Sequence, residues 1–278
     1  VDDQGYLREV VEDYHQCLGR NEQALEFLHS RGITSRDLVD AHKLGFADRT
    51  LGKLIPSHQV KRGREIRSRL IDLGLFRAPS RHEHLRGSIT LPMYDLEGNV
   101  TNIYGRKVTA RLRKGTSLHL YSQDPNVGVW NLRELAQSEE LLLADSPLNA
   151  LTLWAYGYRN VTCLNHTKLA SNELLEAMAK HKTKQVTLAF HASSELIDQL
   201  AGQPFALYQL PLPIKQDINQ LVCKESSPNE ALEQLMRASR ILGEAETPEE
   251  VTTVSETAPA PSEEPSVDDD ELSLVRGE

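Results

Sequence analysis

ELLLADSPLN, residues 140–149, places a short apolar run directly before an acidic residue and the start of a helix. The run Leu141–Ala144 has the length and composition of a buried strand, and Pro147 is typical of a first helical turn. Strand candidates and amphipathic helix candidates then alternate, as strand 160–164, helix 171–180, strand 185–190, helix 194–201 and strand 205–210. This alternation predicts βαβ units and a mostly parallel, buried sheet.

The sequence before this α/β region follows a different pattern. Apolar residues at helical spacing predict helices over 6–30, interrupted at Gly19. Apolar runs at 88–94 and 100–106 are separated by a short turn that contains Gly98, which suits a positive φ. The pattern therefore predicts an antiparallel hairpin within a mixed α+β region.

We divide the chain into four predicted parts. They are a mixed α+β subdomain over 1–138, an α/β domain over 139–225, a closing helix over 226–243 and a tail over 244–278. The tail has twelve acidic residues and one basic residue, a net charge of −11. The preceding residues have 28 acids and 30 bases, a net charge of +2, so the overall charge of −9 does not argue against nucleic-acid binding.

The tail has few bulky apolar residues, and its composition predicts disorder. Two interpretations of its acidic–hydrophobic run, residues 268–274, stay open: a solubilising segment or a short docking peptide. The three cysteines, Cys17, Cys163 and Cys223, are widely spaced and form no C-x-x-C pair. We therefore expect reduced thiols, no zinc site and a cytoplasmic protein. No apolar run in the sequence is long enough to cross a membrane.

Four segments have motif-like spacing in a fixed order. They are 24–33 (ALEFLHSRGI), 42–47 (HKLGFA), 87–106 (GSITLPMYDLEGNVTNIYGR) and 119–122 (HLYS). Together these segments resemble the core of DnaG-type bacterial primases and related zinc-finger, primase-like proteins of mobile elements. The third segment, for example, is similar to the family's G-x-x-x-x-P-x-x-D-x-x-G-x-V-x-x-x-x-G-R. The zinc finger that precedes this core in the family has no counterpart in the sequence.

The resemblance implies a toprim-type α/β domain after the mixed α+β subdomain. In toprim domains a Glu follows one strand, an Asp or Asn lies four residues on, and D-x-D follows a later strand. Here the equivalent positions are Asp145, Asn149, His191 and Ser193, and a downstream acid corresponds to Asp217. The family's nucleotidyl transfer needs Mg²⁺ held by several oxygen ligands. The replaced acids favour a site without a productive pair of metal ions.

Two interpretations of function follow from this resemblance. The first is a primase-like protein of DNA replication or mobile-element maintenance that binds nucleic acid and is catalytically degenerate. The alternative is an active primase that makes RNA primers with an altered Mg²⁺ or Mn²⁺ site. Asp145 and Glu195 are the candidate ligands for that site, with Asp198 on the same predicted helix. Asp145 can instead cap the helix that begins at Pro147, and we favour this capping role.

A basic cluster follows the predicted hairpin, and the resemblance places its start on the side facing nucleic acid. Clustered cations are what phosphate contacts require, although a solvated loop has the same composition. We predict binding of single-stranded DNA or a DNA template here, and a replication protein such as a helicase is a further predicted partner. The basic residues are Arg106, Lys107, Arg111, Arg113 and Lys114.

Overall fold

The structure, a computed structural model, describes residues 2–109 and 111–242. These residues belong to one unit that spans Val1–Glu244. The acidic tail predicted over 244–278 lies outside the described residues, so its predicted disorder stays a prediction. Among the described residues, no helix is both long enough and apolar enough to cross a lipid bilayer.

The first half combines helices with a four-stranded antiparallel sheet, as predicted for a mixed α+β region. The strand order in this sheet is β1-β2-β3-β4. In chain order the elements are α1 (Asp3–Leu18), α2 (Glu22–His29), α3 (Arg36–Ala41), β1 (Gly45–Phe46), α4 (Leu51–Leu54), α5 (Lys61–Asp72), β2 (Ser88–Tyr94), β3 (Val100–Lys107) and β4 (His119–Tyr121).

The predicted hairpin is confirmed. Strands β2 and β3 pair antiparallel from Ser88 opposite Lys107 to Tyr94 opposite Val100. The turn between them is closed by the side chain of Asp95, which accepts a hydrogen bond from the Asn99 amide at 2.7 Å. Since side chains alternate across a strand, neighbouring residues of β3 point to opposite faces of this sheet.

The second half forms a five-stranded sheet in the order β6-β5-β7-β8-β9, and its first four strands are parallel. The predicted parallel sheet is therefore present. The elements of this half are α6 (Leu132–Leu135), β5 (Glu140–Ala144), α7 (Pro147–Ala155), β6 (Val161–Cys163), α8 (Asn172–Lys180), β7 (Gln185–Leu188), α9 (Ser194–Ala201), β8 (Ala206–Gln209), α10 (Ile218–Lys224), α11 (Pro228–Arg237) and β9 (Arg240–Ile241).

The predicted closing helix is too long. Helix α11 ends at Arg237, and β9 pairs antiparallel with β8 instead of continuing the helix. The Leu242 amide donates to the Leu207 carbonyl at 2.8 Å, which extends this pairing. The helical periodicity of the sequence does not predict this strand, because it contains no information about the free edge of β8. That edge provides hydrogen-bond partners for backbone groups that the end of a helix would leave unpaired.

A shared hydrophobic core joins elements from both halves. It contains Leu28 of α2, Met93 of β2 and Leu142 of β5, with Val222 of α10. Trp130 lies in the same core, only 1% exposed, and its carbonyl accepts a hydrogen bond from the Thr162 hydroxyl at 2.6 Å. The core therefore holds the end of the parallel sheet close to the hairpin, and this places the candidate site.

Candidate active site and nucleic-acid interface

A depression of about 340 Å³ lies at the carboxyl ends of β5, β6 and β7. Asp145, His191, Ser193 and Glu195 line it together with Lys168. Parallel strands bring their carboxyl ends to one edge, which is where α/β sheets usually open a crevice. The structure thus brings four of the sequence-predicted positions together, and we call this depression the crevice. Exposed Asp198 is not among the residues that line the crevice.

Asp145 directly follows β5 and does not cap the next helix, so the capping role that we favoured is wrong. Ser146 is the N-cap of α7, and its hydroxyl accepts a hydrogen bond from the backbone amide of Asn149 at 3.4 Å. The Asp145 carboxylate instead accepts a hydrogen bond at 2.7 Å from the side-chain amide of Asn149. The side chain of Asn149, in the first turn of α7, therefore holds the Asp145 carboxylate in place.

A network of buried amides supports this pair from behind. The Asn149 side-chain oxygen accepts from the Asn219 backbone amide at 3.0 Å, across from α7 to α10. The Asn219 side chain donates to the Arg31 carbonyl at 2.8 Å and to the Thr152 hydroxyl at 2.9 Å. The Arg31 guanidinium donates back to the Asn219 side-chain oxygen at 3.2 Å. This amide network fixes the orientation of Asp145 and links the crevice to the loop after α2.

The other side chains that the sequence resemblance aligned with metal-binding positions are engaged elsewhere. Ser193 is the N-cap of α9 and accepts from the Leu196 amide at 3.3 Å. Asp217 is the N-cap of α10 in a capping box with Gln220. His191 is exposed, and its Nε2 lies 3.3 Å from the Pro213 carbonyl. Helix capping therefore occupies two of the positions that the resemblance associates with metal binding.

Three aromatic side chains cluster beside Asp145. The Tyr104 hydroxyl lies 2.8 Å from Nδ1 of His119, and the rings of His119 and His166 lie 3.7 Å apart between centroids. The His166 amide donates to the Asp145 carbonyl at 3.2 Å. Burial lowers the pKa of His119 to about 3, with the neighbouring His166 and Arg106 acting in the same direction. His119 is therefore neutral at physiological pH and contributes hydrogen bonds rather than charge.

Two arginines flank one ring near this cluster. The guanidinium carbons of Arg31 and Arg106 lie 5.5 Å and 5.7 Å from the centroid of Phe27. The Arg106 Nε is buried and has no hydrogen-bond partner among the described residues. Burial also lowers the pKa of Arg106, with a further contribution from Arg31. Two cations near a crevice, without a matching carboxylate, form a suitable contact for a phosphate.

Lys107 does not share a face with Arg106. Its side chain is buried and its Nζ donates to the Arg86 carbonyl. Burial lowers the pKa of Lys107 to about 8, and the cations of Arg77, Arg86 and Arg49 add to this shift. These three arginines are exposed and form no ion pair among the described residues. They form a second basic surface, which we call the arginine patch.

The other predicted basic residues lie in the connection between β3 and β4. Arg111, Arg113 and Lys114 are all exposed there. Of the five predicted basic residues, Arg106 is thus the one near the crevice and Lys107 is the one turned inward. The structure leaves the remaining three as cations on a loop.

No protein-family model and no curated protein sequence matches this chain. Solved structures do match it. The Aquifex aeolicus primase, zinc binding and RNA polymerase domains, has 17% identity and a TM-score of 0.69, over 86% of this chain and 61% of that one. A DNA primase domain from Pseudomonas aeruginosa has 19% identity and a TM-score of 0.69, over 87% and 80%. A DnaG primase catalytic domain bound to ssDNA has 20% identity and a TM-score of 0.67, over 86% and 79%.

The chain has the fold of a DnaG-type primase core. It spans about 61% of the Aquifex primase chain, so it corresponds to part of that protein. At 14–20% identity, these primase structures establish the fold of this chain and not its chemistry.

Divalent metal ions are implied by the resemblance, and the crevice does not fit a pair of them. Two Mg²⁺ ions bring four positive charges, whereas the crevice offers the carboxylates of Asp145 and Glu195 beside the cation of Lys168. Asp145 already accepts from neutral Asn149. No group of three or more His, Cys, Asp or Glu side chains suited to a metal ion occurs in the part of the chain that is described.

Several residues of the site were missed by the sequence-based prediction. The amide network depends on Asn219, and the cation pair depends on Arg31. The sequence contained an indication that Arg31 is functional, since it belongs to the R-G-I segment that resembles the primase motif. Asn219 follows Asp217 by two residues, but nothing local indicates that it faces Asn149. The arginine patch had no signal, since its members come from separate loops.

Proposed function

We propose that this chain is a primase-like protein of DNA replication that binds nucleic acid through the cations beside its crevice. Its crevice corresponds to a toprim site that has lost the acids for a metal pair and is catalytically degenerate. The observation that carries the proposal is the contrast within one site. Arg31 and Arg106 flank Phe27 and donate only to neutral oxygens among the described residues, whereas Asp145 is bound to a neutral amide.

Single-stranded DNA is the ligand class that we favour. One primase of the same fold is described as bound to ssDNA, and a Mycobacterium tuberculosis primase domain as bound to a double-stranded oligomer with a 6-nucleotide overhang. The crevice of this chain has cations nearby together with the rings of Phe27, His119 and His166, which are at least partly exposed. Cations that contact phosphates and rings that stack on bases are the usual combination for single strands.

Adjacent residues of β3 provide a matched test. Arg106→Gln removes a cation beside the crevice, and we expect the affinity for a labelled single-stranded oligonucleotide to fall by roughly three- to tenfold at ~0.15 M salt. The slope of log affinity against log salt should become shallower by about 1. Fluorescence anisotropy over a salt series measures both quantities.

Lys107→Gln serves as the control, because Lys107 is buried on the opposite face. We expect it to leave DNA affinity within about twofold while it changes stability. Equal losses of affinity in the two variants would place binding away from the crevice and contradict the proposal.

The alternative function is an active primase with a changed metal site. One observation favours it: Glu195 and Asp145 line the same crevice, so two carboxylates are available there. Primer synthesis on a single-stranded template, with Mg²⁺ or Mn²⁺, distinguishes the two functions. We expect no metal-dependent product. A product that is lost in both Asp145→Ala and Glu195→Gln, but not in Asp198→Asn, would establish the alternative.

Three finer points belong to the same proposal. The protein acts in the cytoplasm, in replication or maintenance of a mobile element, and a helicase is the replication partner that we expect. These points follow from the resemblance and from the reduced cysteines. We expect the tagged chain to co-purify with a replicative helicase. A variant in which surface arginines are replaced by glutamates should lose this association.

A further inference from the structure

A groove of about 670 Å³ lies among α1, α2 and α3, and the proposed DNA-binding function does not use it. Its floor is aliphatic. Leu18, Leu28 and Ile33 are each 1% exposed, and the partly exposed Leu25 and Val39 complete the lining. The groove lies in the range of roughly 300–1,000 Å³ that encloses a small ligand or a few side chains.

The rim of this groove has two arginines and two histidines and fewer acidic side chains. Arg20, Arg36, His15 and His29 line it, and Asp40 is the single acid among its lining residues in the described part of the chain. Basic side chains at the edge of an apolar surface keep their charged groups in water, and the aliphatic floor between them stays accessible to a ligand.

The lone acid does not neutralise this rim. Asp40 is shared, with its carboxylate 3.3 Å from His15 Nε2 and 3.7 Å from Arg36 Nε. The Arg36 side chain remains 91% exposed, so its guanidinium is open to other partners. Arg20 donates from Nε to the Gln16 carbonyl at 3.3 Å and forms no direct ion pair among the described residues; the carboxylates of Asp13 and Asp48 lie near it but do not line the groove. The groove therefore keeps an excess of positive charge.

The lining argues against nucleic acid as the occupant. No Phe, Tyr or Trp is among the described residues that line the groove, and of its two histidine rings His15 is held by Asp40 and the Leu44 carbonyl, so the groove offers a base only the ring of His29. On the same helix, Phe27 lies beside Arg31 and Arg106 near the crevice, whereas Leu25 and His29 line the groove. Helix α2 thus separates an aromatic, cationic surface from an aliphatic, cationic one.

We propose that the groove is the docking site for a protein partner's acidic–hydrophobic segment, in which aspartates or glutamates adjoin leucine-like side chains. Its aliphatic side chains bury against Leu25 and Val39, and its carboxylates contact Arg20 and Arg36. Charged groups at the rim contribute mainly to partner choice and association rate, and the aliphatic floor contributes the buried area.

The test uses the full chain and a fluorescein-labelled synthetic peptide in which aspartates precede a pair of leucines. Fluorescence anisotropy should show saturable binding. In the variant Arg20→Glu with Arg36→Glu, we expect affinity to fall by about tenfold or more, since each reversal replaces an attraction with a repulsion. Both side chains are exposed, and a glutamate in the first turn of α3 suits the helix dipole, so the variant should fold.

Val39→Asp tests the floor separately and should reduce binding of the same peptide by a similar factor. Arg62→Glu, on exposed α5, is the matched control and should leave binding unchanged. A peptide with serines in place of the leucines should bind at least about tenfold more weakly, because the buried apolar area is lost.

Three results would overturn the proposal. The first is equal weakening of peptide binding by Arg62→Glu, which means non-specific charge attraction. The second is a loss of single-stranded DNA binding in the groove variants that matches the loss in Arg106→Gln, which assigns the groove to nucleic acid. The third is self-association of the chain in sedimentation that the groove variants abolish, which makes a second copy the occupant.

Discussion

Two carboxyl groups of this protein are held in opposite ways. Asp145, at the carboxyl end of the parallel sheet, accepts a hydrogen bond from Asn149, and the Asn219 network supports that contact. Glu83, before the antiparallel hairpin, is 6% exposed, and neither of its carboxyl oxygens has a hydrogen-bond partner among the described residues. The Asp145 carboxylate has a short hydrogen bond from an amide, whereas the Tyr14 hydroxyl and the Leu51 amide lie near the Glu83 carboxyl without well-formed hydrogen bonds to it.

The difference shows in the charge that each environment allows. Burial raises the pKa of Glu83 to about 7, and the nearby carboxylates of Asp48 and Asp13 act in the same direction. A buried carboxyl without donors favours its neutral form, because ionisation is penalised by desolvation. Burial is therefore not what defines the candidate site. The Asn149 amide that donates to the Asp145 carboxylate defines it.

The largest expected effect comes from removing the side-chain part of the amide network behind Asp145, while the backbone amide of residue 219 still reaches Asn149. Asn219→Ala should lower the free energy of unfolding by about 3 kcal/mol, because the Arg31 carbonyl loses its amide donor, the Thr152 hydroxyl loses one of its two partners and the Arg31 guanidinium loses its acceptor. Urea unfolding measures the change. Lys224→Ala, exposed on the same helix, is the control and should stay within about 0.5 kcal/mol of the parent. A similar loss in both variants would mean that α10 is fragile in general.

A smaller effect on the free energy of unfolding is expected from Glu83→Gln, which should raise it instead of lowering it. Its folded pKa of about 7 lies above the ordinary value of 4.5, so between these values the folded state holds a proton that the unfolded state releases. Stability therefore falls as pH rises through this window. Glu83→Gln should raise stability at pH 8 by on the order of 2 kcal/mol and change little at pH 4.

Thermal or urea unfolding at both pH values checks this prediction. Glu97→Gln, exposed in the hairpin turn, is the matched control and should have no pH-dependent effect. An equal gain at both pH values for Glu83→Gln would point to packing rather than proton binding, and so would remove the contrast with Asp145.

The last change converts the neutral partner of Asp145 into an acid. Asn149→Asp places two carboxylates at hydrogen-bonding distance at a position that is 3% exposed, and repulsion together with desolvation should cost on the order of 2 kcal/mol at pH 8. Millimolar Mn²⁺ should recover that loss in a thermal-shift assay, since a cation that binds the folded state stabilises it. Asn126→Asp, in an exposed loop, is the control. No response to Mn²⁺ in Asn149→Asp would show that more than one acid is missing from the site.

Local patterns in the sequence were sufficient for much of the fold. The run at Leu141–Ala144, the alternation after it and the Gly98 turn predict the parallel sheet and the hairpin, and the structure contains both. These features are predictable because strand burial and turn geometry depend on residues that are close in sequence. The same patterns failed after Arg237, where the chain pairs with the distant β8 rather than continuing a helix.

By itself, the sequence determined most of the element types, the resemblance to primase motifs and which residue types occupy the candidate site. The tertiary structure alone decided that Ser146, not Asp145, caps α7 and that Asn219 reaches Asn149 from 70 residues away. It also decided that Lys107 is buried while Arg106 lies near the crevice. Helical and strand periods are local, whereas hydrogen-bond partners and burial depend on which distant segments the core brings together.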